Sequence, residues 1–191
     1  MRKKLKVGFD LDGVILYNPI RIFRPLASSL KFIKPFLFHE KADTFYFPNS
    51  QAEKLFWKLL HKTSFRVASG VSDIKILAEK GVIEPYIITA RYSFLKDDFH
   101  YWINQLNNRP YFRYYHYNKD DMQPNAFKEK MIKELKLDVF VEDNWGVIQR
   151  LNSTVPKTKI FWVSNPLDWH IPYPYKFSGL KETVRYLGKH S

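Results

Sequence analysis

From Leu5 to Leu11 apolar side chains alternate with others and the run stops at Asp12-Gly13, the pattern of a buried strand closed by a turn. Four later stretches read the same way: PYIITAR (85–91), the aromatic YFRYYHY (111–117), DVFVEDN (138–144) and KIFWVS (159–164). Between them apolar positions recur at helical spacing. Leu95, Phe99, Trp102, Ile103 and Leu106 form one such stripe, and Phe127, Met131, Ile132 and Leu135 form another. WGVIQRL and GLKETVRYLGK, the latter from about Leu180, supply two more. Strands alternating with helices predict an α/β architecture, a mostly parallel five-stranded sheet with helices on both faces.

One connection breaks the rhythm. More than seventy residues separate Asp12 from Pro85, far beyond an ordinary strand-to-helix link. Within them RIFRPLASSLKFI and NSQAEKLFWKLLHK are amphipathic, and the second opens with a capping box, Ser50 standing three residues before Glu53. The pattern predicts a core of residues 1–16 and 70–191 interrupted by a small helical cap, 17–69. SDIKILAEKG then predicts a helix with Ser72 as N-cap and a stop at Gly81. TFYFPN (44–49) offers either an aromatic wall to a ligand or the cap's own small core.

At 191 residues and 45% apolar composition, the chain suffices for one principal packed domain. It has no cysteine, which removes disulfides, thiolate chemistry and cysteine-bound zinc together. The MRKK start is too soon charged for a signal peptide and no run approaches a membrane span, so the expected setting is cytoplasmic, with no membrane partner. A formal charge of +12 favours anionic partners. The lysines and arginines are scattered, which speaks for small phosphorylated metabolites over nucleic acid. YFRYYHY accordingly reads as a sheet strand with rings on both faces rather than a base-stacking platform. The six histidines show no zinc-ligand spacing, and oligomeric state leaves no trace in the pattern.

In open α/β sheets the ligand site lies beyond the carboxyl ends of the strands. Those ends carry Asp10 and Asp12, then Thr89 and Arg91, then Glu142 and Asp143. Four carboxylates facing one another repel unless a cation lies among them, and hard oxygen donors point to Mg²⁺. Lys128, near the start of the helix that feeds DVFVEDN, would add a positive charge. Lys130 is its rival, and because two residues turn a helix by roughly 200°, only one of them can face the site.

Asp10-Leu11-Asp12-Gly13-Val14, Thr89 in YIITAR, a lysine upstream and Glu142-Asp143 closing DVFVEDN resemble, in order, the four motifs of the haloacid dehalogenase (HAD) superfamily. The resemblance runs from about Leu5 to Trp145, and the insertion after the first motif is similar to that family's cap. The wording is most similar to phosphatases of the 5′-nucleotidase kind. The resemblance implies a Rossmann-like HAD core and Mg²⁺-dependent hydrolysis of a small phosphomonoester through an aspartyl-phosphate. Asp10 would be the nucleophile and Asp12 the acid and base. Thr89, with Ala90 beside it, and Lys128 would hold the phosphoryl group. The Asp10 carboxylate, the Asp12 carbonyl and an acid of the Glu142-Asp143 pair would bind the metal. Many relatives have Asp-Asp at that last pair, so the choice between Glu142 and Asp143 stays open. Arg91 reads as a structural or phosphate-side cation. Rival readings are a phosphotransferase or phosphomutase of the same fold, and a non-catalytic relative binding nucleic acid.

Overall fold

Val7 and Phe9 are wholly buried, and the strand that holds them is bonded to a neighbour on each side. The computed structural model describes residues 3–18, 45, 47–64, 66–107, 112 and 114–190. Up to the second helix the described elements are β1 (Leu5–Phe9), β2 (Leu16–Tyr17), α1 (Gln51–Lys62), β3 (Arg66–Val67) and α2 (Val71–Glu79). Then come β4 (Ile83–Tyr92), α3 (Lys96–Asn107), β5 (Tyr114–Asn118), α4 (Pro124–Leu135) and β6 (Val139–Glu142). The chain closes with α5 (Trp145–Thr154), β7 (Lys159–Val163), β8 (Lys176–Phe177) and α6 (Leu180–His190).

The main sheet has six parallel strands in the order β5-β4-β1-β6-β7-β8. Successive connections run outward on one side of β1 and then outward on the other. That reversal opens a crevice at the carboxyl ends beside β1. The sequence predicts five strands; the sixth is β8. Two residues are too few to show a period, and β8 exists through its pairing of Trp162 with Lys176 and Val163 with Phe177. The Lys176 ammonium steadies the loop before it, donating to the carbonyls of Asp168, Trp169 and Ile171. β4 also outruns its predicted limits, extending to Tyr92 through an irregularity between Thr89 and Tyr92. β5 begins at Tyr114, and its rings pack on their neighbours, Tyr114 stacking on Tyr86 and Tyr117 lying against Phe99.

Alternation along the central strands builds two cores. Phe9, Ile87 and Val141 face α2, α3 and α6, together with Ile74, Phe99 and Val184. Ile88 and Phe140 face α4 and α5, together with Phe127, Ile148 and Trp162. Burial on both faces explains the near-continuous apolar runs of β4 and β6.

The insertion leaves the core through β2 and returns through β3, paired antiparallel, so its stem is a short ribbon where the sequence predicts only helices. α1 carries the predicted capping box: Glu53 N–H donates to Ser50 Oγ at 3.2 Å and Ser50 N–H to Glu53 Oε2 at 2.9 Å. The other predicted helix, RIFRPLASSLKFI, lies outside the described residues. Within TFYFPN, Phe45 and Phe47 join insertion to core. Phe45 packs on the α4 side of the sheet, and Phe47 sets its ring edge-on to Tyr92. No helix among the described residues is long and apolar enough to cross a membrane.

α2 starts at Val71 with Gly70 as its N-cap, so Ser72 lies inside the helix rather than capping it. Gly70 has φ of 106°, and a Cβ there would stand 2.7 Å from the backbone of Lys181 at the start of α6. Only glycine permits both the backbone conformation and the approach. Gly70→Ala should therefore cost about 2–3 kcal/mol in urea denaturation. Gly179→Ala, where nothing lies within 4 Å of an added Cβ, should leave the midpoint nearly unchanged.

Candidate active site

Strand register sets two acids side by side. Phe9 of β1 pairs with Val141 of β6, and Asp10 N–H donates to Val141 O at 2.9 Å, so Asp10 and Glu142 end adjacent strands at the same level. By the period of two they share the face of Phe140, which α4 covers. Lys128 lies on the buried face of α4 with Phe127, Met131 and Ile132. Its ammonium stands 3.2 Å from Asp10 Oδ2 and donates to Glu142 Oε2 at 2.6 Å. Lys130 points away, exposed, with Glu134 3.9 Å from its ammonium.

The turn after β6 is locked by its own polar groups. Glu142 Oε1 accepts from the backbone N–H of Asp143 at 3.1 Å and of Asn144 at 3.0 Å. Asn144 caps α5, its side chain accepting from Gly146 and Val147 N–H, and the Trp162 indole donates to the Asp143 carbonyl at 3.2 Å. With Lys128 on one Glu142 oxygen and two amides on the other, Glu142 is committed to structure. Asp143 is aimed at the loop after β1, where Gly13 takes φ of 86° and a Cβ would meet Asp143 Oδ2 at 2.3 Å. Gly13 is thus the gap that admits the Asp143 carboxylate.

Asp12 lives in a different environment. The Arg91 fork grips it twice, Nε donating to Oδ2 at 2.8 Å and Nη2 to Oδ1 at 2.7 Å. Arg91 is almost fully buried and is anchored in turn by Asp98 on α3. The insertion adds Ser64, whose hydroxyl donates to Asp12 Oδ1 at 3.1 Å, and His61, whose Nδ1 lies 3.6 Å from Oδ2. The irregularity in β4 falls between Thr89 and Tyr92, the stretch that holds Arg91, a usual device for re-aiming a side chain beside a site.

These surroundings push the two aspartates apart. Burial raises the Asp10 carboxyl, Lys128 pulls it back, and Glu142 and Asp143 raise it again, leaving it well above the ordinary carboxylate range. Burial also pushes Asp12 up, but the Arg91 charge, its hydrogen bonds and His61 outweigh that and hold the carboxyl well below the range.

Of the residues singled out in the sequence, Asp10, Lys128, Glu142 and Asp143 meet in one cluster, with Asp12 beside it in its own network. Thr89 and Ala90 stand on β4 next to β1 but enter neither network. Thr89 Oγ1 accepts from Arg91 N–H at 3.3 Å, and Ala90 packs toward the α4 side. Sequence reasoning missed Asp98, His61, Ser64 and the cap role of Asn144. Only Asn144, an Asn just before an apolar helical run, carried a legible signal.

Asp10, Glu142 and Asp143 each offer a carboxylate oxygen within 4.8 Å of the others, all buried. Three acids against one ammonium leave uncompensated buried negative charge, which a hard divalent cation would neutralise. The donor set therefore fits Mg²⁺.

The sheet order and the helices on both faces are those of the HAD-like α/β fold. The chain superposes on the HAD-hydrolase YfnB from Bacillus subtilis, solved bound to magnesium, with TM-score 0.63 and 11% identity, covering 98% of this chain and 100% of that one. A Thermotoga maritima protein described as a β-phosphoglucomutase gives TM-score 0.59 at 15% identity, over 98% of this chain and 100% of that one. CbbY from Rhodobacter sphaeroides in complex with phosphate gives 0.54 at 14% identity, over 93% and 95%. At such identities the likeness is one of fold. No family model and no curated protein sequence matches the chain.

Lys128→Met should cost about 3–5 kcal/mol, because it strands buried carboxylates, and added Mg²⁺ should recover part of the loss in thermal denaturation. The Asp12–Arg91 pair predicts a pH signature. With the folded carboxyl held low, its stabilisation is complete above the unfolded value of about 3.9 and is lost as pH falls through the folded one. The stability gap between wild type and Arg91→Leu should therefore narrow below about pH 4, read as denaturation midpoints across pH.

Proposed function

We propose that this chain is a Mg²⁺-dependent phosphomonoesterase working through an aspartyl-phosphate on Asp10. The observation that carries the reading is the pairing of a lysine-bridged Asp10, among further buried acids, with a second aspartate two residues on that is held ionised by its own arginine. Two carboxylates in opposed environments suit a nucleophile and a proton carrier.

In this reading an ionised Asp10 oxygen, its charge offset by Lys128, attacks phosphorus, and the ester oxygen leaves with a proton that Asp12 takes from the bound phosphomonoester monoanion. Water then attacks the aspartyl-phosphate, gives its proton to Asp12 and frees Asp10. The ionised form that Arg91 stabilises is the form the second step needs. Lys128 offsets the charge that gathers on the nucleophile and the phosphoryl oxygens. Thr89 and Ala90, at the neighbouring strand end, would bind those oxygens. Asp10, Asp143 and the Asp12 carbonyl would hold the metal, Glu142 being committed elsewhere. When bound, Mg²⁺ would supply charge neutralisation at the phosphoryl group. The magnesium of YfnB and the phosphate of CbbY support these assignments by analogy of fold.

Nucleoside 5′-monophosphates are the substrate class we put first, drawn in by the basic surface. The likeness to a protein described as a β-phosphoglucomutase favours one second reading, a substrate hydroxyl replacing water as acceptor. Competition by added sugar phosphates or alcohols would reveal it.

The test is turnover of phosphate esters with and without Mg²⁺. Asp10→Asn should abolish it, by about 10³-fold or more. Asp12→Asn should cost about 10²–10⁴-fold on an alkyl phosphate but less on p-nitrophenyl phosphate, whose leaving group needs no proton. Undiminished turnover in Asp10→Asn would sink the mechanism. Equal rates on nucleotides and sugar phosphates would remove only the nucleotide preference.

A further inference from the structure

Asn125 is the buried polar residue of α4 that the proposed reaction leaves without a task. It is 6% exposed, on the same buried face as Lys128 and one turn before it. Its Oδ1 is buried with no hydrogen-bond partner among the described residues. A buried amide oxygen left unpaired costs stability, so its presence calls for a reason.

Three features of the surroundings give one. α4 follows β5 and precedes β6, both parallel to β1, so its first turn lies at the carboxyl edge of the sheet with Asp10. Helical side chains lean toward the N-terminus, so the long Lys128 side chain runs back toward the level of Asn125 on its way to Asp10. Gln123 caps α4 without a side-chain hydrogen bond to the helix and Pro124 brings no N–H. The Gln123 side chain is occupied instead with the insertion, accepting from Phe45 N–H at 2.8 Å and donating to Phe45 O at 3.3 Å. The first-turn N–H groups of Asn125 and Ala126 therefore have no intrahelical acceptor, and the helix end favours an anion.

We propose that Asn125 is a further substrate-binding residue, its side-chain amide donating to a phosphoryl oxygen beside Lys128. The amide's oxygen and nitrogen exchange by a half-turn, which puts N–H where the unpaired oxygen now sits. Deepening the reading above, this assigns the α4 first turn as a second phosphate anchor separate from β4.

Binding of inorganic phosphate in the presence of Mg²⁺, measured by calorimetry on the whole chain, tests the assignment independently of turnover. Asn125→Ala should weaken phosphate about tenfold or more, and raise KM for any ester by a similar factor with kcat within about threefold. Asn125→Asp, equal in size but charged, should weaken it further. Asn125→Ser, shorter but still a donor, should keep an intermediate affinity and covers the case in which the alanine variant fails to fold. A purely structural Asn125 would shift the melting temperature while leaving phosphate affinity intact, and that result overturns the proposal. If phosphate binding falls in these variants although no ester is hydrolysed, the reaction assignment fails and the anchor stands. If esters are hydrolysed and phosphate binding is the same throughout, the reverse holds.

Discussion

A buried ammonium between two buried carboxylates is the constraint on which the rest of this architecture turns. Lys128 touches both Asp10 and Glu142, and each of the three is nearly inaccessible to water. Charges so placed are tolerable only when paired and fully hydrogen-bonded. The register of β1 against β6 supplies the two acids, the buried face of α4 supplies the cation, and the amides of Asp143 and Asn144 complete Glu142. Shifting β1 by one residue would send Asp10 to the opposite core and leave Lys128 facing Phe9 or Leu11. The arrangement is still short of two positive charges, since Asp143 lies in the same cluster. That deficit is a property of the fold and stands behind the case for a metal.

Asp10 and Asp12 are two residues apart and electrostatically opposed. Leu11 between them is fully buried in the core beneath α2, α3 and α6. The chain thereby turns one aspartate into an acidic cluster that raises its carboxyl and the other into a cationic grip that lowers it. Environment, not residue type, separates their ionisation. Glu142 illustrates the same economy of geometry. Its extra methylene over aspartate lets one oxygen fold back onto the following amides while the other reaches Lys128.

What the sequence made legible follows from how far each feature depends on distant contacts. Short apolar runs placed β1, β4 and β6, and the acids at their ends, because burial on both faces writes itself into the local pattern. Lys128 and Lys130 could be told apart only by the phase of α4 against the sheet. β8 depends wholly on pairing with β7, and Gly70 on an approach to Lys181 more than a hundred residues away. The Asp12 network was invisible for the same reason. Arg91, Asp98, His61 and Ser64 come from β4, α3 and the insertion, and no local spacing links them to Asp12.

The origin of each partner gives the two acids different sensitivities. Among the described residues the charged groups that face the Asp10 carboxylate, Lys128, Glu142 and Asp143, belong to the core, from α4 and the end of β6. Asp12, by contrast, takes two of its partners, Ser64 and His61, from the insertion as the chain comes off α1 toward β3. A shift of the insertion against the sheet would alter the hydrogen bonding and charge around Asp12 while leaving the Asp10–Lys128–Glu142 cluster intact. The ribbon of β2 and β3, bonded to the core where Ala68 N–H donates to Ile15 O at 2.8 Å, limits that shift at one end. The Phe45–Gln123 pair limits it at the other. The insertion is thus tied to the core on both sides of the site, at the acid on one side and at the start of α4 on the other. The ionisation of Asp12 is coupled to the part of the chain that contacts both.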